Sequence, residues 1–77
     1  MRDQRAKQII ANYADVSVED VTADKNLQQD FQLDSLDKVE IGMALEDEFA
    51  LEIPDEEIEK FVTVKDVLDY IGEHVAA

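Results

Sequence analysis

The amino-acid sequence predicts an all-α domain: a bundle of three longer helices and one short helix, with a long loop between the first and second helices. Apolar residues recur at helical spacing in three segments, residues 3–13, 36–49 and 64–75. No segment alternates polar and apolar residues as a strand would, and the polar stretch 14–34 separates the first two periodic segments. The length suits a single domain, residues 1–77, with one modest core.

The charge of the chain is strongly unbalanced. Twenty Asp and Glu residues face seven Lys and Arg residues, which gives a formal net charge of −13. Such an acidic chain is repelled by nucleic acid and by anionic membranes, so we expect neither as its main partner. The composition instead favours partners with basic protein surfaces.

The chain contains no cysteine. This excludes a disulfide framework, a Cys-ligated zinc site and a cysteine nucleophile, so any thiol chemistry must arrive on an attached group. No apolar stretch approaches the roughly 20 residues that span a bilayer, and residues 1–15 have no apolar signal-peptide core. We therefore expect no membrane insertion, and either a cytosolic protein or a mature organellar form.

The first helix is predicted from about Asp3 to Tyr13. Its apolar residues fall at i, i+3, i+4 and i+7 and share one face: Ala6, Ile9, Ile10 and Tyr13. The next segment, 14–34, has no such period, and we interpret it as a long loop with room for one helical turn after Ser17. Five apolar side chains are expected to pin this loop to the core: Val16, Val18, Val21, Leu27 and Phe31.

The second helix is predicted to begin at the dipeptide Asp34-Ser35, with either residue as its N-cap, and to run to Phe49. Pro54 follows and disfavours a helical conformation in the residue before it. We expect Asp55 to cap a short third helix. That helix runs from Glu56 to about Lys60, with Ile58 and Phe61 facing inward.

The last helix is preceded by Thr63 and Asp66, which resemble a capping box. The apolar residues of this helix recur on one predicted inner face: Val64, Val67, Leu68, Ile71 and Val75.

The second helix carries more apolar surface than one core-facing stripe needs. Ile41, Leu45 and Phe49 fall within an arc of roughly 80°, so we predict that they are buried. A second apolar arc, Leu36, Val39 and Met43, lies among the acidic residues Glu40, Glu46 and Asp47. The sequence does not decide whether Val39, or Leu36, packs against the core or faces solvent. An exposed Met43 ringed by carboxylates would suit recognition of several partners, with the charges steering their approach.

Gly42 lies in the middle of this helix, at a cost of about 1 kcal/mol relative to Ala. Two interpretations remain open. Another part of the chain approaches closely at this position, or the glycine is simply tolerated.

Ser35 has three possible roles. A serine at a helix N-terminus is most often a cap. A catalytic nucleophile would need a base, and His74, the only histidine, lies far along the chain. A modification site is also physically reasonable, because a phosphodiester there would lie near unpaired backbone N–H groups. The residues alone leave the cap and the attachment site as alternatives.

Residues 24–72 resemble the acyl carrier protein family. Residues 30–37 read D-F-Q-L-D-S-L-D, residues 43–49 read M-A-L-E-D-E-F, and residues 52–55 read E-I-P-D. The D-S-L triplet alone is a weak signal, but the three segments at this spacing are a strong one. The resemblance implies an acyl-carrier-like bundle in which a phosphopantetheinyl transferase attaches 4′-phosphopantetheine from coenzyme A to Ser35.

The resemblance also implies which residues surround that arm. The residues expected to contact partner proteins are Asp34, Leu36, Asp37, Glu40, Met43, Glu46 and Asp47. The residues expected to line a pocket for the acyl chain are Ile41, Leu45, Phe49, Ile58 and Leu68.

The function implied is that of a carrier, not an enzyme. Growing fatty acyl chains would be held as thioesters on the arm and delivered to fatty acid synthesis enzymes with basic docking patches. Members of the family in the cytoplasm of bacteria and in the mitochondrial matrix fit this description, and a monomer is the default.

Several alternatives stay open. One is a specialised carrier for polyketide, peptide, D-alanine or lipid A synthesis, and another is a mitochondrial scaffold that binds LYR-motif proteins. From a different class, a nucleic-acid mimic would also be acidic, as would a calcium-binding module, but no twelve-residue window supplies the alternating ligands, central Gly and terminal Glu of an EF-hand. A mimic would tolerate replacement of Ser35 by Ala, whereas a carrier would not.

Two positions depart from the family pattern. Gln32 stands where the family usually has a glycine, which bears on the loop before Ser35. Gly42 replaces a common branched apolar residue, which bears on the acyl pocket or on a partner contact.

Overall fold

A computed structural model describes residues 2–74. The described chain is helical, as predicted, and its four α-helices and one 3₁₀ turn have the following bounds: α1 Arg2–Ala14, the turn Val18–Asp20, α2 Ser35–Phe49, α3 Asp55–Glu59 and α4 Val64–His74. α1 packs against both α2 and α4, and α3 packs against α2. The predicted inward position of Val75 lies outside the described residues.

The buried face of α1 is rotated from the predicted one. Ala6, Ile10 and Ala11 are fully buried, Ile9 is half-buried, and Tyr13 is 40% exposed. Tyr13, predicted to share one face with Ala6, Ile9 and Ile10, lies at the edge of the buried face. Relative to Ile10, Ala11 lies at about +100° and Tyr13 at about −60° around the helix, so the burial of Ala11 and the partial burial of Ala14 shift the buried face away from Tyr13.

The long loop is an ordered part of the fold. The predicted turn after Ser17 is present, and the Ser17 hydroxyl accepts a hydrogen bond from the N–H of Glu19 at 3.3 Å. The middle of the loop is tied to the chain before α4, where the N–H of Leu27 donates to the Val62 carbonyl at 2.9 Å. Its apolar anchors are fully or partly buried: Val16, Val18, Val21, Leu27, Phe31 and Leu33.

The short helix α3 begins one residue earlier than predicted. Asp55 is its first residue and Pro54 precedes it, without a side-chain capping hydrogen bond, so the prediction that Asp55 caps α3 is wrong. The Pro54 carbonyl accepts instead from the N–H groups of Glu57 and Ile58. Asp55 in the first turn still suits the positive end of the helix dipole.

The capping box before α4 is confirmed. The Asp66 carboxylate accepts from the N–H of Thr63 at 3.0 Å, and the Thr63 hydroxyl accepts from the N–H of Asp66 at 3.3 Å. The same carboxylate accepts from the N–H of Val62 at 2.9 Å. Partial burial alone would raise the pKa of Asp66, but the hydrogen bonds together hold that pKa below its ordinary value of 3.8.

The core draws on every helix. Ile10 of α1, Leu45 of α2, Ile58 of α3 and Ile71 of α4 belong to one buried cluster. None of the helices within residues 2–74 is long and apolar enough to cross a membrane. The bundle thus holds α2, with Ser35 as its first residue, between α1 and α3.

Candidate functional site

The start of α2 is fixed by two aspartates. A side-chain oxygen of Asp34 accepts from the N–H of Asp37 at 2.9 Å, and the N–H of Asp34 donates to the Asp37 carboxylate at 3.2 Å. Asp34 is therefore the N-cap, which decides between the two residues that the sequence allowed. Ser35 is exposed, and its hydroxyl makes no hydrogen bond to any residue from 2 to 74. The cap does not occupy that hydroxyl, so it is free to react.

The loop before Ser35 requires a left-handed residue. Gln32 has φ of 57°, and the next residue, Leu33, is buried and donates its N–H to the Leu27 carbonyl at 3.1 Å. A glycine adopts that conformation without strain, whereas another residue meets a cost of roughly 1 kcal/mol. Gln32 thus adopts the left-handed conformation that would account for the family's usual glycine at this position. The replacement of that glycine does not prevent the chain from placing Ser35 at the start of α2.

A cavity of about 230 Å³ lies beside Ser35, between α2 and α3. It is lined by Ser35, Lys38, Val39, Asp55, Ile58 and Glu59. Val39 and Ile58 supply apolar wall, and the charged side chains supply the rest. A group attached to Ser35 would therefore have both an apolar recess and polar partners next to it.

Lys38 is an exception to the acidity of this surface. It is the only Lys or Arg between residues 26 and 59, a stretch that contains twelve Asp and Glu residues. Its ammonium group donates to the Phe61 carbonyl at 3.0 Å, which ties α2 to the segment after α3. The lone cation of this segment is thus held in the wall of the cavity beside Ser35.

The residues predicted to contact partners divide into two groups. Leu36 and Met43 are 65% and 57% exposed, and the acidic side chains of Asp34, Glu40 and Asp47 are exposed as well. The expected exposure of Met43 is confirmed.

The other two predicted partner residues have contacts within the fold. Asp37 completes the cap, and Glu46 accepts from the N–H of Ile53 at 2.8 Å. Both are half-buried. Their roles toward partners stay predictions.

The five predicted pocket residues do not line one cavity. Ile58 alone among them lines the cavity beside Ser35, while Ile41 and Leu45 are buried in the core and Phe49 is half-buried. Leu68 lines a separate groove that also includes Asp3 of α1.

Two residues of the cavity wall were not predicted, although helical spacing indicates them. Lys38 and Val39 follow Ser35 by three and four positions, which places them on the same side of α2. Asp55 and Glu59 reach the cavity because α3 packs against α2, and no local sequence pattern predicts how two helices pack.

Gly42 permits a close approach between helices. A Cβ atom at this position would lie 2.5 Å from Cδ1 and 3.0 Å from Cγ1 of Ile58. Of the two interpretations that the sequence left open, the close approach is confirmed.

Comparison with known proteins agrees with this geometry. The family model described as the phosphopantetheine attachment site matches residues 4–71. The class of protein is therefore one whose members carry a covalently attached 4′-phosphopantetheine.

A more specific match identifies the family within that class. An acyl carrier protein from Thermosynechococcus vestitus is 50% identical to this chain over 74 residues, which cover 96% of this chain and 91% of that protein. The chain belongs to the acyl carrier protein family. It is a carrier and not an enzyme, and 4′-phosphopantetheine is its prosthetic group.

The strain at Gln32 gives a testable prediction. Replacing Gln32 with Gly should raise the free energy of unfolding by up to about 1 kcal/mol, because the lost strain outweighs the added freedom of the unfolded chain. Urea unfolding measures the change. Gln29→Gly, at an exposed position of the same loop with no positive φ, is the control and should lower stability. Equal losses in both variants would contradict the assignment of strain to Gln32.

Proposed function

We propose that this chain carries growing fatty acyl chains as thioesters on a 4′-phosphopantetheine arm linked to the hydroxyl oxygen of Ser35, and delivers them to fatty acid synthesis enzymes. The observation that carries the proposal is the exposed Ser35 hydroxyl, which no described residue engages because Asp34 caps the helix. The arm supplies the terminal thiol, which this chain lacks.

Attachment of the arm needs an accessible oxygen and a place for the new phosphodiester. The Ser35 oxygen would displace adenosine 3′,5′-bisphosphate from coenzyme A and lose its proton, with a phosphopantetheinyl transferase as the catalyst. The helix dipole and the N–H groups of Ser35 and Leu36, which the cap does not engage, favour the resulting anion, whereas the carboxylates of Asp34 and Asp37 beside it oppose it. Lys38, in the wall of the same cavity, adds a positive charge three residues away.

Shelter for the acyl chain is the second part of the proposal. The apolar wall that Val39 and Ile58 form beside Ser35 supports entry of the chain between α2 and α3. Burial would favour this state by about 0.8 kcal/mol for each methylene removed from water. Ile41, Leu45, Phe49 and Leu68 would join the pocket only if it extends beyond the present cavity.

Delivery is the third part. The exposed side chains of Leu36 and Met43 offer apolar contact, and Asp34, Glu40 and Asp47 surround them with negative charge. This combination supports docking on a basic surface with an apolar centre, in which charge steers the encounter. The docking partners proposed are the transferase and the enzymes of fatty acid synthesis, with Asp37 and Glu46 contributing charge from the same helix.

Loading of Ser35 tests the attachment. The unmodified chain, incubated with coenzyme A and a broad-specificity phosphopantetheinyl transferase, should gain the mass of one phosphopantetheine, and Ser35→Ala should gain none. Ser17→Ala is the matched control, because Ser17 is the only other serine and also begins a helical turn. It should load fully. Loading of Ser35→Ala, or no loading of the parent by an active transferase, would contradict the proposal.

Charge reversal on α2 tests the docking surface. The double variant Glu40→Lys, Asp47→Lys should lower the transferase kcat/KM by about tenfold at low salt and by much less at 0.5 M salt, because screening removes the steering term. A variant with the same change in net charge, Asp69→Lys, Glu73→Lys, alters exposed residues of α4 and is the control. Equal losses in both double variants would show that net charge alone matters, against a defined surface on α2.

A further inference from the structure

The side chain of Ile58, in α3, occupies the space beside Gly42 of α2. Because Gly42 has no Cβ, the end of the Ile58 side chain occupies the space where such an atom would lie, at 2.5 Å from Cδ1. Both residues are buried. The isoleucine of one helix thus fills the volume that the other helix leaves empty.

The same isoleucine lines the cavity beside Ser35. Gly42 is buried but does not line that cavity, so Ile58 lies between the cavity and the surface of α2 at Gly42. Ile41 and Leu45, on the same helix as Gly42, belong with Ile58 to the buried core cluster. Ile58 is therefore the inner wall of the space that begins at the attachment residue.

We propose that Ile58, seated against Gly42, sets the longest acyl chain that this protein shelters, an inference that rests on the proposed carrier function. A chain entering from Ser35 meets the isoleucine after passing Val39. Shortening Ile58 extends the cavity toward Gly42, and a larger side chain at position 42 pushes Ile58 back into the cavity. This displacement is feasible because the atom displaced, Cδ1, is the free end of a side chain.

The two residues therefore act in opposite directions on one length limit. Ile58→Val removes one carbon atom and Ile58→Ala removes three, so the limit should move out by about one and about three methylenes. Gly42→Ala should move it in by at least one. The combination of Gly42→Ala with Ile58→Val should return it toward the parent value, because the added carbon replaces the one removed.

The test uses the holo protein loaded with saturated acyl chains of increasing length. Hydroxylamine cleaves an exposed thioester, and the cleavage rate of a sheltered one should fall by up to about fourfold for each further methylene buried. Beyond the limit the rate should stop falling. The chain length at that plateau is the quantity compared among the variants.

Ile53→Val is the matched control, since Ile53 is as buried as Ile58 but does not line the cavity. It should leave the plateau length unchanged. Circular dichroism confirms that each variant is folded, and the valine variants keep the test available if Ile58→Ala unfolds. A plateau at the parent length in both Ile58→Val and Gly42→Ala would overturn the proposal.

A second measurement separates this proposal from the carrier function. In the unloaded protein, xenon should shift the amide NMR signals of Val39 and Gly42 more strongly in Ile58→Val than in the parent, because it enters the enlarged cavity. The shifts should be weaker in Gly42→Ala. Failure of Ser35 to load would remove the carrier function and leave this result interpretable. Equal xenon shifts in all three proteins would overturn the role of Ile58 as the cavity wall.

Discussion

The reciprocal hydrogen bonds between Asp34 and Asp37 determine where α2 begins, and the rest of the site depends on that point. They satisfy backbone groups that a serine cap would otherwise engage. Ser35 consequently becomes the first residue of the helix, with its hydroxyl exposed and available. The same start brings Lys38 and Val39 to the cavity wall one turn below. Asp34 therefore stabilises the start of the helix, while the Ser35 hydroxyl stays available for attachment of the arm.

The features that the sequence predicted well are those with local causes. The start of α2, the turn after Ser17 and the capping box of Thr63 and Asp66 each depend on residues two to three positions apart. The exposure of Met43 follows from its place opposite the core-facing stripe of α2. The attachment residue was predictable for a different reason, because the resemblance of the surrounding motifs decided what the residues of the helix start left open.

The features that the sequence did not predict depend on how the helices dock. Tyr13 is exposed because the buried face of α1 is set by its neighbours and not by its own period. Leu68 and Ile58 line different recesses, since α4 packs against α1 and α3 packs against α2, and the pocket predicted to include both around an acyl chain stays a prediction. The contact of Ile58 with Gly42 joins two helices. The sequence showed that residue 42 is a glycine, but it did not show which side chain packs against it.

Capping of α2 and attachment of the arm belong to neighbouring but different residues, Asp34 and Ser35. Urea unfolding of Asp34→Ala and Ser35→Ala tests it most directly. The structure predicts that Asp34→Ala lowers the free energy of unfolding by about 1 kcal/mol, while Ser35→Ala changes it by less than about 0.5 kcal/mol. A large loss in Ser35→Ala with little change in Asp34→Ala would show that the serine is the cap, and would contradict the account of a free hydroxyl at the start of α2.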